Sequence, residues 1–177
     1  MTRPPPQSAY GVLSEPATLR IQRRLPGPIE RVWAYITDSK LRRKWLASGD
    51  MELKVGASFE LVWRNSELTN PPGTRPEGFG EESRMASRVL AFDPPHSLLI
   101  SWGENSEVRF ELTRDGDEVV LTVTHRRLPD RGTTLMVGAG WHIHLDLLVA
   151  GLTGGQSEPY WDGWVRLKGE YDRLLPP

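Results

Sequence analysis

The amino-acid sequence predicts an α+β fold in which a curved antiparallel sheet of about six strands surrounds a long C-terminal helix. Apolar residues alternate with a period of two over most of residues 51–126, which is typical of strands that bury one face. Inside that stretch, two strand patterns flank a rigid Asp-Pro-Pro turn at residues 93–95, and the second strand ends at Trp102. After Pro129 the apolar spacing becomes helical. A sheet curved around a helix in this way usually encloses a cavity.

Composition excludes several classes of protein. The 177 residues fit one domain, and 38% of them are apolar, which is enough for a core. A net charge of −1 favours neither a nucleic-acid partner nor an anionic membrane. With no cysteine, disulfides, thiolate metal sites and a cysteine nucleophile are excluded, and a reducing compartment is favoured. The N-terminus lacks a signal sequence and no stretch looks like a membrane span, so the prediction is a cytoplasmic protein.

The chain divides into three predicted parts. Residues 1–16, rich in proline, are expected to form a flexible tail, and residues 17–155 the main domain. Residues 156–177 are expected to form an additional helix that packs on the same domain or lies at a homodimer interface. The second alternative rests on Trp161 and Trp164, because tryptophan is enriched at interfaces.

Two short helices are predicted after the first strand. That strand begins at Thr18 and ends at the Pro-Gly-Pro of residues 26–28. Apolar residues then recur at helical spacing, which indicates a short amphipathic helix; they are Ile29, Val32, Trp33 and Ile36. Ser39 is predicted to cap a second short helix that carries Trp45 on its apolar side.

Hairpins and a long loop are predicted in the middle of the chain. Residues 53–55 and 59–63 flank Gly56-Ala57, which suggests one hairpin, and residues 65–80 read as a long surface loop. A second hairpin is predicted at Asp115-Gly116, because Asp-Gly favours tight turns between strands.

Two helices are predicted after Pro129. The first carries an apolar stripe that ends at Gly154-Gly155; the stripe consists of Trp141, Leu145, Leu148 and Leu152. The last helix is predicted from Ser157 towards Leu175.

The order of these elements and several motifs resemble the START-like (SRPBCC) superfamily, and within it the bacterial homologues of the activator of the 90-kDa heat-shock-protein ATPase, specifically its C-terminal domain. The resemblance covers roughly Ala17 to Thr153. It rests on Arg23-Arg24-Leu25 before Gly27-Pro28-Ile29-Glu30-Arg31-Val32-Trp33, on Trp45, on Val55-Gly56-Ala57-Ser58-Phe59, on Asp93-Pro94-Pro95 with Trp102, on Thr124-His125, and on Gly140-Trp141 with Leu145-Asp146. It implies a helix-grip (START/Bet v 1-like) fold. It supplies no shared catalytic motif.

A partly open cavity is expected between the sheet and the long helix, and a set of mostly aromatic residues is predicted to line it. These candidate ligand-binding residues are Trp45, Phe59, Trp63, Met85, Trp102, Phe110, His125, Trp141 and Leu145. The alternative is that they fill an ordinary core. Among them, His125 is the polar group best suited to bind a ligand or exchange a proton, although a histidine satisfied by backbone or water would look the same in the sequence.

No catalytic residues, metal or cofactor are predicted. His142 and His144 stand two residues apart on a helix, so their rings point about 200° apart and cannot chelate one ion together. The favoured function is binding of a small hydrophobic or aromatic molecule between the sheet and the helix. Two alternatives stay open: a cyclase/aromatase-like enzyme that uses the same cavity, and a stress-related co-chaperone or protein-interaction module, for which a chaperone partner is less expected.

Overall fold

The computed structural model describes residues 8–177 and shows a seven-stranded sheet with two long helices on it. The strands are β1 (Val12–Glu15), β2 (Thr18–Pro26), β3 (Ser58–Trp63), β4 (Ser83–Asp93), β5 (Ser97–Trp102), β6 (Ser106–Asp115) and β7 (Glu118–Arg126). The helices are α1 (Ile29–Thr37), α2 (Ser39–Arg42), α3 (Arg131–Thr153) and α4 (Tyr160–Leu174). A 3₁₀ turn covers Asn65–Glu67. The predicted α+β helix-grip architecture is confirmed.

The sheet is antiparallel throughout, with the strand order β1-β2-β7-β6-β5-β4-β3. Alternation along each strand sends one set of side chains to the helix side. On β7, for example, Val119, Leu121, Val123 and His125 are all nearly inaccessible to solvent. The predicted hairpin at Asp115-Gly116 is present as the turn between β6 and β7.

Helix α3 is the core helix around which the sheet curves. Its first turn is capped by Asp130, whose carboxylate accepts a hydrogen bond from the Thr133 N–H at 2.7 Å. It ends at Gly154 with φ = 74°, a left-handed conformation that glycine adopts without strain. By length and composition alone α3 also qualifies as a membrane span, a feature that the sequence analysis missed. Most of that apolar stretch is buried inside the domain, as expected for a core helix.

Helix α4 packs on α3 and on the long loop, within the same chain. Trp161 and Trp164 are buried, and the Trp161 indole N–H donates to Ser66 Oγ at 2.9 Å. The Thr74 N–H donates to the carboxylate of Asp162 at 3.0 Å, which joins the loop to α4. The two tryptophans therefore serve this intrachain contact and are not exposed anchors for a homodimer.

Strand β1 differs from the sequence prediction. Residues 12–15 pair with β2 as the edge strand of the sheet, whereas residues 1–16 are predicted to be a flexible tail. The Tyr171 hydroxyl accepts a hydrogen bond from the Gly11 N–H at 2.8 Å, which holds the start of this strand on α4. The part of the tail prediction that concerns residues 1–7 lies outside the described residues.

Two further local predictions are wrong. Residues 53–55 are not a strand: the Gly56 N–H donates to the Val89 carbonyl at 2.8 Å, so this segment is a turn docked on β4, and β3 pairs with β4 instead. The cap of α2 is Asp38 rather than Ser39. The Asp38 carboxylate accepts from two backbone N–H groups of α2, while Ser39 Oγ accepts from the Gly49 N–H.

Candidate functional site

Five rings from four strands and α3 meet at one end of the sheet and form what we call the aromatic cluster: Trp63, Trp102, Phe110, His125 and Trp141. Trp102 is its centre, with ring centroids 5.5 Å from Trp63, 5.5 Å from His125 and 5.2 Å from Trp141. Phe110 meets Trp141 edge to face at 5.8 Å. These are the separations and tilts at which aromatic rings attract one another.

Sheet register brings these rings together. Trp63 is the last residue of β3, and Trp102 is the last residue of β5. His125 on β7 lies opposite Val108 of β6, and Phe110 lies two residues further along β6, on the same face. A sixth predicted lining residue, Met85, lies next to the cluster. Its sulfur is 4.0 Å from the position that a Cβ of Gly103 would occupy, and Gly103 directly follows Trp102.

The hydrogen bond between His125 and Trp141 fixes the tautomer of the imidazole. Trp141 Nε1 lies 3.1 Å from His125 Nδ1. An indole nitrogen can only donate, so Nδ1 must be the unprotonated, accepting nitrogen. The proton of the neutral imidazole is therefore on Nε2. That atom is buried and has no hydrogen-bond partner among residues 8–177.

Burial keeps this imidazole neutral. Desolvation lowers the pKa of His125 from its ordinary value of 6.5 to about 4. At neutral pH the side chain is therefore an uncharged hydrogen-bond donor. The hydrogen-bond partner of its Nδ1 is an indole and not a carboxylate, so this hydrogen bond cannot relay a proton.

The cluster has a buried side and a partly exposed side. His125 and Trp141 are 1% and 3% exposed, whereas Trp63, Met85 and Trp102 are half-buried. We call those three residues the rim. The sequence predicts a partly open cavity here, and this stays a prediction; the rings of the cluster contact one another across this space.

The other three predicted lining residues are not among the rings of the aromatic cluster. Phe59 and Leu145 belong to the same hydrophobic core as Phe110 and Trp141. Trp45 is 1% exposed, and its indole N–H donates to the Tyr35 carbonyl at 2.8 Å. Its own carbonyl meets Nδ1 of His144 at 2.7 Å. Trp45 is therefore part of a polar contact that joins the segment after α2 to α3 and, through His144, to Tyr160 of α4.

Sequence reasoning missed a buried polar chain between β2, α3 and α4. Arg23 pairs with Asp146 at 3.0 Å, and the second oxygen of Asp146 lies 3.5 Å from His142 Nε2. His142 Nδ1 is 2.9 Å from the Tyr171 hydroxyl. An arginine at an inward position of β2 was the available signal, because a buried cation needs a partner. His142 and His144 face different partners, as their spacing predicts.

Surface grooves formed by other residues lie apart from the cluster. One, of about 490 Å³, is bordered by Lys44, Leu68 and Leu147, and another, of about 640 Å³, lies between Tyr10 and Leu174. Neither includes a ring of the aromatic cluster. The features of the cluster that bear on binding are its rings and its unpaired donor.

A curved antiparallel sheet packed around a long helix, with aromatic side chains between them, is the architecture of START-like proteins. Residues 26–153 match the family described as Activator of Hsp90 ATPase homolog 1-like protein, and the chain belongs to that family. A search of curated proteins gives no match.

Solved structures agree with this fold. The solution structure of the protein encoded by gene BPP1335 of Bordetella parapertussis is 36% identical, with 99% of this chain and 97% of that one covered and a TM-score of 0.78. CalU16 from Micromonospora echinospora is 23% identical over 89% of this chain and 87% of its own, with a TM-score of 0.66. DynU16, described as a protein of the dynemicin biosynthetic locus, is 21% identical over 82% of this chain and 51% of its own, with a TM-score of 0.62. The last two show the fold alone.

Proposed function

We propose that this protein binds a small hydrophobic or aromatic molecule at the aromatic cluster, between the sheet and α3, without catalysing a reaction. The observation that carries the proposal is the division of the cluster into a buried floor and a half-buried rim. Three neighbouring large apolar side chains that stay partly exposed form a surface of the kind that binding sites use.

The nature of the contacts supports an aromatic guest. A flat ring that enters beside Trp102 replaces one aromatic contact with another, so the loss of internal packing is small. The floor consists of rigid elements, because Phe110 and His125 lie on paired strands and Trp141 on the core helix. The START-like fold and the biosynthetic locus named for DynU16 are compatible with small-molecule binding.

The two alternatives have less support. A cyclase/aromatase-like enzyme requires a group that exchanges a proton with the substrate, but burial lowers the pKa of His125 to about 4, and its hydrogen-bond partner is an indole, which cannot accept a proton. A co-chaperone or homodimer that uses Trp161 and Trp164 as anchors requires them to be exposed, but both are buried within the chain. A cytoplasmic location and a role in stress also stay predictions.

Indole NMR of the full chain titrated with fluorene, a flat hydrocarbon, tests the proposal. The chain has seven tryptophans. We expect the indole N–H signals of Trp63, Trp102 and Trp141 to shift, while those of Trp33 and Trp161 stay in place. Shifts confined to other tryptophans, or none at fluorene saturation, would contradict the proposal.

A variant pair gives the quantitative form of this test. Trp63→Ala removes one wall of the rim and should weaken fluorene binding by about tenfold, as the loss of an aromatic contact and its buried area predicts. The matched control is Trp33→Ala, which removes a half-buried tryptophan on α1, outside the cluster. It should leave the affinity unchanged. Equal effects of the two substitutions would contradict the proposed location.

A further inference from the structure

The aromatic cluster contains a buried hydrogen-bond donor that the fold does not use. The Nε2–H of His125 is fully buried and lacks a partner among the described residues, 8–177. Buried polar groups in proteins are nearly always paired, because an unpaired one loses its bond to water without replacement. Such an atom beside a candidate ligand site is a specific signal of what the ligand supplies.

We infer that the ligand of the aromatic cluster carries a neutral hydrogen-bond acceptor, such as a ketone or quinone carbonyl, that receives the Nε2–H of His125. This inference rests on the proposed function and specifies the chemical class of its ligand. It follows from the tautomer: Trp141 donates to Nδ1, so the free nitrogen is a donor and calls for an acceptor.

The acceptor is neutral because the donor is neutral. Burial lowers the pKa of His125, so the imidazole offers a hydrogen bond and no positive charge at neutral pH. Moving a carboxylate out of water to such a place is costly, since a buried charge needs a counter-charge. A carbonyl oxygen on a flat aromatic frame satisfies the donor and matches the surrounding rings.

Trp102 controls access to this donor. Two indoles contact the imidazole ring, Trp102 at 5.5 Å and Trp141 at 6.4 Å between centroids. Trp141 is held by its hydrogen bond and is buried, whereas Trp102 is half-buried at the end of β5. A left-handed glycine, Gly103, follows it in the turn to β6. Trp102 is therefore the ring with room to move towards solvent when a guest enters.

Fluorenone and fluorene provide a matched pair of probes. They share the same tricyclic frame, and the carbonyl of fluorenone replaces a methylene group of fluorene. Fluorene is the more apolar of the two, so burial of apolar surface alone would favour it. We expect the wild-type full chain to bind fluorenone about tenfold more tightly than fluorene in calorimetric or fluorescence titrations, because only fluorenone satisfies the donor.

The possible outcomes separate this inference from the proposed function. If neither probe binds, the proposed function fails and the inference fails with it. If both bind equally well, or fluorene binds better, the site exists but the acceptor inference is wrong, as would follow if a buried water already satisfies Nε2. A tenfold preference for fluorenone supports both.

A variant identifies the donor. In His125→Phe the ratio of the two affinities should fall to about one, because the donor is gone and a flat ring remains. The control His96→Phe replaces an exposed histidine in the β4–β5 turn and should keep the wild-type ratio. A preference for fluorenone that persists in His125→Phe would overturn the assignment.

A second measurement on the wild-type chain covers the case in which His125→Phe does not fold. The infrared carbonyl stretch of bound fluorenone should lie below its value in an apolar solvent, because a hydrogen bond weakens the C=O bond. An unshifted stretch in the saturated complex would overturn the inference without any variant.

Discussion

Two buried histidines, His125 and His144, differ in one respect that separates a candidate site from a structural contact. Both ring nitrogens of His144 have a hydrogen-bond partner: Nδ1 lies 2.7 Å from the Trp45 carbonyl and Nε2 lies 3.3 Å from the Tyr160 hydroxyl. His125 has a partner on Nδ1 only. The comparison shows that burial alone does not identify a functional histidine, whereas an unsatisfied nitrogen in an aromatic surround does.

The surroundings of the two residues differ in the same way. His144 is covered by α4 through Tyr160, which is itself buried. His125 is covered by Trp102, which is half-buried. The C-terminal helix therefore covers His144, whereas His125 lies beneath a partly exposed aromatic ring.

The largest expected effect that tests this comparison is the loss of stability in acid. Burial lowers the pKa of His125, His142 and His144 to about 4, below the unfolded value of 6.5. Between these values the unfolded chain binds more protons than the folded chain, so the free energy of unfolding falls as the pH falls. Three such groups give a slope that approaches about 4 kcal/mol per pH unit near pH 5. Urea unfolding at a series of pH values measures it.

Single variants sharpen this test. His125→Phe and His144→Phe should each reduce that slope by about 1.4 kcal/mol per pH unit, which corresponds to one proton. The control His96→Phe replaces an exposed histidine and shows what the loss of an imidazole outside the core does to the slope. A slope that neither buried-site variant alters would show that these imidazoles are not held neutral by the fold.

The next largest effect concerns the two histidines at neutral pH. His144→Phe leaves both the Trp45 carbonyl and the Tyr160 hydroxyl without their partner and should cost about 3 kcal/mol in the free energy of unfolding. His125→Phe leaves only the Trp141 indole N–H unpaired and removes an unpaired donor, so about 1 kcal/mol is expected. Denaturant unfolding at pH 7.5 compares the two. A larger loss for His125→Phe would reverse the comparison.

A smaller effect is expected where α4 holds the N-terminal strand. Tyr171→Phe removes the hydroxyl that accepts a hydrogen bond from the Gly11 N–H and contacts His142. The free energy of unfolding should fall by about 2 kcal/mol. Hydrogen exchange should show faster exchange of the β1 amides in this variant. The control is Tyr35→Phe on α1. Unchanged exchange in β1 would contradict the role assigned to the hydroxyl.

Local signals in the sequence predict most of this fold. The Asp-Gly turn and the alternation on both of its sides predict β6 and β7, and the apolar stripe predicts α3. Strand β1 has no such signal, because its four residues do not alternate and its position depends on contacts with Tyr171, about 160 positions away. β1 pairs with the neighbouring β2, but the contact that holds it on α4 joins distant segments and leaves no local trace in a single sequence.

The sequence predicts most of the residues of the candidate site but not how their side chains pack. Six of the nine predicted residues meet at the aromatic cluster, because alternation correctly gives the face of each strand. Trp45 does not join them, since its place depends on the path of the chain after α2. Alternation also says nothing about how the side chains of two layers interdigitate, so the contacts among the rings were not predictable.

The most direct test of the central claim is nitrogen NMR of the imidazole rings in the wild-type chain, titrated with fluorenone. The chain has four histidines, so each ring can be assigned. We expect His125 to carry its proton on Nε2 in the free protein and its Nε2–H signal to move downfield on binding, while the ring nitrogens of His144 stay unchanged. A His125 protonated on Nδ1, or a fluorenone complex in which its Nε2–H does not respond, would contradict the account.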